Sequence, residues 1–250
     1  MINLIRGEFY KLKKSKCFIG MMFLWALLGI IFSYCMIRDA NKFNEVAKTI
    51  CGIKGAVNFL QTQIIINFLF AAFAGVFIAK DLEQNTISRT FTYGYSRNKV
   101  ILSKIIVYVL YSLFMELVTA VIIGIVFSVM YGFNNITKII ALLYLVRVIF
   151  ISMFCSTATA LITAAVSVIS KSIIVTLVSA VVMFIPIFLG DVSVQLGKFI
   201  DCILPYRNVM WGIAPFASRN EIIIAAVSSL LVAAAAISII TKHLSKLDIK

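Results

Sequence analysis

Charged and catalytic side chains are scarce in this 250-residue chain. It contains a single histidine, His243, and only ten acidic residues. Metal sites of the HExxH type need at least two histidines, so a metalloprotease or zinc hydrolase with histidine ligands of this type is excluded. Serine and threonine are common but have no base to complete a catalytic triad. Glu116 is the only acid well inside an apolar run, which argues against a pair of opposed carboxylates. The chain is therefore not expected to be an enzyme by itself.

The chain also lacks a phosphate-binding loop. That motif, GxxxxGK[ST], cradles phosphates at the start of a helix. The nearest approach is Gly197-Lys198-Phe199, which lacks the hydroxyl residue and the spaced glycine. No cofactor is expected on this chain, and any ATP-driven activity must use an ATPase on another polypeptide.

Long apolar runs dominate instead, in a chain that is 62% hydrophobic. Each run reaches the roughly 20 residues that cross about 30 Å of hydrocarbon as a helix. The sequence predicts an all-α membrane protein, a single domain over 1–250, with spans at about 17–37, 59–79, 105–131, 139–168, 172–190 and 221–241.

The distribution of Lys and Arg predicts the orientation. Fourteen of the 23 cations fall in the tails and loops on one side of these spans, and eight fall on the other. Cytoplasmic loops are richer in Lys and Arg, so both termini are predicted to be cytoplasmic. The net charge of +13 is explained by cations that contact anionic lipid head groups, so membrane lipid and not nucleic acid is the expected partner. Cys51 and Cys202 fall in predicted outer loops, and whether they form a disulfide is left open.

The first 16 residues have the pattern of a helix lying at the membrane interface. Ile2, Ile5, Phe9 and Leu12 recur at steps of three and four, which places them on one face. The alternative is a plain basic flank that orients the first span.

The loop Lys80–Lys104 is the most informative polar stretch. Ile87, Phe91 and Tyr95 follow at steps of four, so a short helix would present an apolar ridge between charged residues. Such a ridge suits docking into a groove on a soluble partner. A helix lying on the membrane surface is the alternative.

This loop resembles the first cytoplasmic loop of ABC-2 type transporter permeases. Glu83-x-x-Thr86-Ile87 precedes Tyr93-Gly94-Tyr95-Ser96-Arg97, and Lys104 heads the next span. In that family an acidic residue comes before a Gly-Thr-hydrophobic step, and a Pro/Gly-x-Ser-Arg turn leads into the third span. Here Asn85 replaces the glycine, and Gly94 stands where proline is common. Six spans and an N-terminal interfacial helix also match, so the resemblance covers the whole chain.

The resemblance implies how the chain would work. The loop would be a coupling helix that receives motion from a separate nucleotide-binding ATPase, itself a dimer that binds ATP and Mg. A second permease subunit, identical or homologous, would complete the complex in a bacterial cytoplasmic membrane. The implied coupling residues are Glu83, Thr86, Ile87, Arg89, Phe91 and Arg97.

Polar residues inside the spans are candidates for a transport pathway. Gln63 and Asn67 lie one turn apart in span two, and two amides in one span are costly to leave unpaired. Glu116 and Arg147 are the most deeply placed charges, and whether they pair is left open. A stripe of hydroxyl residues in span four, from Ser152 to Ser170, is interpreted as helix packing.

The outer segment 191–220 holds two prolines and several aromatic residues. The family resemblance implies short re-entrant helices here, and a surface loop with interfacial aromatics is the alternative.

For substrate, the chain resembles small six-span permeases that give bacteria immunity to lantibiotics and related peptides. Export or extraction of a hydrophobic or amphipathic molecule, such as an antimicrobial peptide, is the implied function. The alternatives are a lipid or drug exporter of the same family, and a membrane scaffold or sensor that transports nothing.

Overall fold

The computed structural model describes residues 1–42, 52–84, 95–132, 138–183, 185, 204–214 and 216–247. Helices make up 91% of this part of the chain, and it contains no strand. The prediction of an all-helical protein is confirmed.

The helices and one π-helical segment follow one another along the chain. In order they are α1 (Ile2–Lys14), α2 (Lys16–Lys42), α3 (Gly52–Gln61), α4 (Gln63–Ala74), the π segment (Gly75–Ala79), α5 (Lys80–Glu83), α6 (Arg97–Tyr131), α7 (Lys138–Ser170), α8 (Ile173–Val182), α9 (Pro205–Gly212) and α10 (Arg219–Leu247).

Five helical stretches among the described residues are long and apolar enough to cross a membrane. They are Phe18–Arg38, Ile65–Glu83, Asn98–Tyr131, Leu143–Ser170 and Arg219–Leu244. Five of the six predicted spans therefore coincide with such helices. The predicted span 172–190 contains the ten-residue α8, which is too short to cross alone, and most of its remainder lies outside the described residues.

The helices that contain predicted spans two and three do not have the same bounds as those spans. Helix continues N-terminally of Phe59 as α3, but it breaks at Thr62, whose hydroxyl donates to the carbonyls of Asn58 (2.8 Å) and Phe59 (2.9 Å). Such local side-chain bonds compete with the helical ladder. Helix α6, which contains predicted span three, begins at Arg97 and not at residue 105, because hydropathy falls at Lys99 and Lys104 although the backbone stays helical.

Helix α1 matches the predicted N-terminal helix, but its apolar stripe is divided. Leu12 is buried in the core and Ile5 packs against that core, whereas Ile2 and Phe9 are exposed. Glu8 shares the buried face, because it lies three residues after Ile5 and four before Leu12. The position of α1 at a membrane interface stays a prediction.

One part of the core is a group of aromatic side chains between α2, α4 and α6. The ring centroid of Phe73 lies 5.2 Å from that of Tyr108 and 4.8 Å from that of Tyr111. Tyr108 is fully buried, and its hydroxyl donates to the carbonyl of Phe70 at 3.0 Å and lies 2.8 Å from the hydroxyl of Thr163. This contact joins α4, α6 and α7.

The hydroxyl stripe of α7 is buried as predicted for helix packing. Ser152, Thr159, Thr163 and Ser167 each donate to a backbone carbonyl three or four residues earlier. Their polar groups are thereby satisfied within the helix, and their small size lets α4, α8 and α10 approach α7.

Chain direction defines two ends of the bundle. The first, here the α1 end, holds α1, α5 and the start of α6. The opposite α9 end holds the start of α3, the end of α6 and helix α9.

Helix α9 begins at Pro205, within the segment predicted to be re-entrant, and Tyr144 of α7 donates to the carbonyl of Ile213 just beyond it at 2.9 Å. Re-entry into the bilayer stays a prediction, and Cys51 and Cys202 lie outside the described residues.

The close approach of α3 to α6 can be tested at Gly55. A Cβ atom there would lie 2.9 Å from the ring of Phe127, which is fully buried and cannot move aside easily. We expect Gly55→Ala to destabilise the protein by about 2 kcal/mol and to lower its apparent melting temperature in detergent.

Gly20→Ala is the matched control, since it places a Cβ in a helix with nothing within 4 Å. It should leave stability unchanged or raise it by about 0.5–1 kcal/mol. Equal effects of the two substitutions would contradict this packing.

Candidate functional site

Three buried side chains form a polar triad inside the bundle: Gln63 of α4, Glu116 of α6 and Ser156 of α7. The Nε2 of Gln63 donates to the Oε1 of Glu116 at 2.8 Å and to the Oγ of Ser156 at 2.7 Å. The hydroxyl of Ser156 in turn donates to the same Oε1 at 2.8 Å. None of the three is more than 2% exposed. The sequence proposed Gln63 and Glu116 as intramembrane polar groups, and the structure places beside them Ser156, which the sequence assigned to the packing stripe.

Several acceptors of the triad have no donor among the residues that the structure describes. In that part of the chain, the second carboxylate oxygen of Glu116 and the amide oxygen of Gln63 are buried without a hydrogen-bond partner. One turn further along α4, Asn67 donates to the sulfur of Met183 at 3.0 Å, and its oxygen has no partner among the same residues. Buried polar atoms are nearly always paired, so such a group of acceptors is unusual.

Arg147 is not the partner of Glu116. Its Nη2 donates to the carbonyl of Ala214 at 2.6 Å, and its guanidinium lies 5.2 Å from the ring centroid of Tyr144. Among the described residues, none of the ion pairs includes Glu116. Glu116 and Arg147 therefore do not pair with each other. Arg147 of α7 bonds to the turn after α9, and Glu116 bonds to Gln63 and Ser156.

An apolar groove lies on the α9 side of the triad, and its lining does not include the three triad residues. Its volume is about 400 Å³, and α3, α6 and α7 form its walls. The lining residues are Ile53, Ala56, Val57, Leu60, Leu117, Ala120, Val121, Gly124, Ile125, Ser128, Val129, Leu145, Val148 and Ile149. Ser128 is the one residue of this lining with a polar side chain, and its hydroxyl donates to the carbonyl of Gly124 at 2.7 Å. The groove therefore presents an almost wholly hydrocarbon surface.

A second polar site, the ion cluster, lies at the α1 end and consists of Glu8, Lys11, Asp81 and Lys104. Lys104 is 2% exposed and forms ion pairs with Asp81 and, at 3.5 Å, with Glu8. Glu8 also pairs with Lys11 at 3.0 Å. The cluster joins α1, α5 and α6. Its charges on Lys104 and Glu8 are buried, whereas Asp81 is partly exposed and Lys11 is exposed.

The ion cluster stands directly beside the predicted coupling loop. Asp81 lies on α5, which ends at the exposed Glu83, and Lys104 lies two turns after Arg97, the first residue of α6. Glu83 and Arg97 therefore mark the two stems of the loop at one end of the bundle. Thr86, Ile87, Arg89 and Phe91 lie outside the described residues.

The sequence indicated Lys104 only as part of a motif and missed the roles of Glu8 and Asp81. One signal was present: Glu8 is a lone acid in a strongly basic segment, at the spacing that pairs it with Lys11. Its burial could not be foreseen, because it depends on how α1 docks against α6.

Comparison with known protein families identifies the class. Residues 4–188 match the family model described as ABC-2 family transporter protein. Since this match covers most of the chain, the protein belongs to that family. Membership makes it a membrane component of an ABC transporter, and implies partnership with an ATPase subunit in general. The matched residues include the triad and the ion cluster but not α9 or α10. None of the curated proteins compared with the chain matches it.

The ion cluster can be tested by removing its central cation. Lys104→Met keeps a side chain of similar length but removes the ammonium group that pairs with the carboxylates of Glu8 and Asp81. Breaking a buried pair on one side is strongly destabilising, so we expect a loss of about 3 kcal/mol. The measurements are the apparent melting temperature in detergent and the rate of tryptic cleavage between α1 and α2, which should rise.

Lys99→Met is the control, because Lys99 is an exposed cation on the same helix. It should change neither measurement. If Lys104→Met is as stable and as resistant to trypsin as the control, the cluster does not hold α1 to the bundle.

Proposed function

We propose that this chain is the permease subunit of an ATP-driven exporter. Two such subunits, identical or homologous, would work with a dimer of separate ATPases that bind ATP and Mg. The observation that carries the proposal is the family match over residues 4–188. The complex would lie in a bacterial cytoplasmic membrane with both termini, and hence the α1 end, facing the cytoplasm.

The loop between α5 and α6 is the proposed coupling element. Closure of an ATPase dimer can move the spans only through a protrusion whose base is firmly held. The ion cluster supplies such a base, because Asp81 and Lys104 join the two stems and Glu8 adds α1. Glu83 and Arg97 flank the loop at this base, and Ile87 and Phe91 would form its docking ridge.

The coupling proposal is tested by expressing the chain with its partner ATPase. We expect a stable complex whose ATP hydrolysis depends on both chains. Replacing Ile87 and Phe91 together by alanine, or Glu83 or Arg97 singly, should weaken docking by about 1–4 kcal/mol and uncouple hydrolysis from transport. Co-purification and ATPase activity in proteoliposomes measure this.

Arg219→Ala is the control, because Arg219 is an exposed arginine at the opposite end of the bundle. It should assemble and hydrolyse ATP as the unaltered chain does. Full activity of all the loop variants would place coupling elsewhere, and failure of any ATPase to bind would favour a non-transporting scaffold or sensor.

The substrate we propose is a hydrophobic or amphipathic molecule taken from the bilayer, with an antimicrobial peptide as the leading example. The apolar groove and the triad beside it support a route along α3, α6 and α7. Gln63, Asn67 and Glu116 would line its polar part, whereas Arg147 is engaged by the turn after α9. Lipid or drug export by the same route is the second candidate.

A survival assay tests the peptide proposal. Cells of a sensitive bacterium that express this chain with its ATPase should tolerate higher concentrations of at least one membrane-active peptide in a panel. An ATPase variant that cannot hydrolyse ATP is the control and should abolish the protection. Unchanged sensitivity to the whole panel, with an assembled and hydrolysing complex, would reject immunity and favour lipid or drug export.

A further inference from the structure

The groove and the triad are neighbours along the same helices. Among the groove residues, Leu60, Leu117 and Ile149 are those nearest to the triad along α3, α6 and α7. The Nε2 of Gln63 lies 3.4 Å from the carbonyl oxygen of Leu60, and Leu117 directly follows Glu116. The hydrocarbon groove thus ends, on the side away from α9, next to residues that adjoin the triad, whose acceptor atoms are buried behind its lining.

The unpartnered atoms of the triad define what it can bind. Glu116 Oε2 and Gln63 Oε1 are both acceptors, and both are buried. The amide nitrogen of Gln63 and the hydroxyl of Ser156 already donate within the triad, so their hydrogens are engaged. A ligand that meets these two oxygens must bring donors, and a positive charge would complement the carboxylate, which has no cation among the described residues.

The groove determines the chemistry of the rest of the ligand. A sugar or a polar head group would lose its hydrogen bonds to water there without replacement, because the lining offers almost no polar atoms. An unbranched or lightly branched hydrocarbon chain suits these walls. A volume of about 400 Å³ is within the range of small-molecule sites.

We propose that the groove and the triad together bind a cationic amphiphile, a hydrocarbon chain that carries a primary ammonium group. The ammonium has three donors and no acceptor, and it bonds to Glu116 Oε2 and Gln63 Oε1. The hydrocarbon chain lies in the groove toward the α9 end. This deepens the proposed export function by naming a substrate class, and it rests on that function only for the step of transport.

The break at Thr62 explains how a ligand reaches a triad so deeply buried. Helix α3 forms one wall of the groove and joins α4 only through Thr62, where the regular helix is interrupted. Gln63 is the first residue beyond the break. A displacement of α3 about this point widens the groove at its polar end and leaves α4 packed against the aromatic core.

Binding is tested on the purified chain, without ATPase, in nanodiscs of phosphatidylcholine. The probe is dodecylammonium with a photoreactive diazirine at the end of its chain, and its match is dodecanol with the same diazirine. We expect the ammonium probe to label peptides of α3, α6 and α7 at least tenfold more than the alcohol at equal concentration in the bilayer. Unlabelled dodecylammonium should compete with it.

Two variants separate the parts of the site. Glu116→Gln keeps an acceptor for Gln63 and Ser156 but removes the charge and one acceptor oxygen, so the tenfold preference for ammonium should fall to near one. Val121→Phe adds bulk at the groove wall and should reduce labelling by both probes. Glu221→Gln, at the start of α10, is the control and should label like the unaltered chain.

Each outcome decides the proposal. Equal labelling by the two probes, labelling outside the groove, or a preference that survives Glu116→Gln would overturn it. If Glu116→Gln does not fold, the comparison of ammonium with alcohol on the unaltered chain, with its competition, is sufficient. Because no ATPase is present, failure of binding leaves the permease proposal standing, and failure of ATPase assembly leaves this result standing.

Discussion

A polar group inside a membrane protein must find its partner within the protein, and this constraint governs the whole structure. It makes the described part of the chain helical, because a helix satisfies its own backbone. It explains why the hydroxyl residues of α7 bond to carbonyls of their own helix. It also explains why Gln63, Glu116 and Ser156 converge from three helices, since each alone would face hydrocarbon.

The two polar sites are carried by the same helices. The triad uses α4, α6 and α7, and the ion cluster uses α1, α5 and α6. Between them lies the aromatic core around Phe73 and Tyr108. The part of the bundle that would contact an ATPase is therefore joined to the groove by a continuous packed body, which is the mechanical requirement for coupling the two.

The sequence predicted the membrane spans, which depend on average hydrophobicity. It missed local helix geometry and side-chain contacts, which depend on the direction of each residue around its helix axis. Long apolar runs indicated five of the spans, because hydropathy summed over about 20 residues measures transfer into lipid. The break at Thr62 and the π segment escaped prediction, since both alter hydrogen bonding without altering hydropathy.

Partners of polar side chains were harder to predict for the same reason. Gln63 and Glu116 were identified as interior groups from their cost in lipid, but Ser156 looked like any other member of its stripe. Only the crossing of α4, α6 and α7 distinguishes it. Whether Arg147 pairs with Glu116 was left open, and the position of Ala214, 67 residues away along the chain, determined its contact.

The π segment has a geometric consequence for these sites. Gln63 and Asp81 lie five regular α-helical turns apart, so an uninterrupted helix would direct both toward the same side. The wide turn at Gly75–Ala79 accommodates one extra residue and rotates everything after it by about 100°. Gln63 and Asp81 can therefore point in different directions around the helix axis and contact different neighbours. The angle between these two directions is set by a single inserted residue.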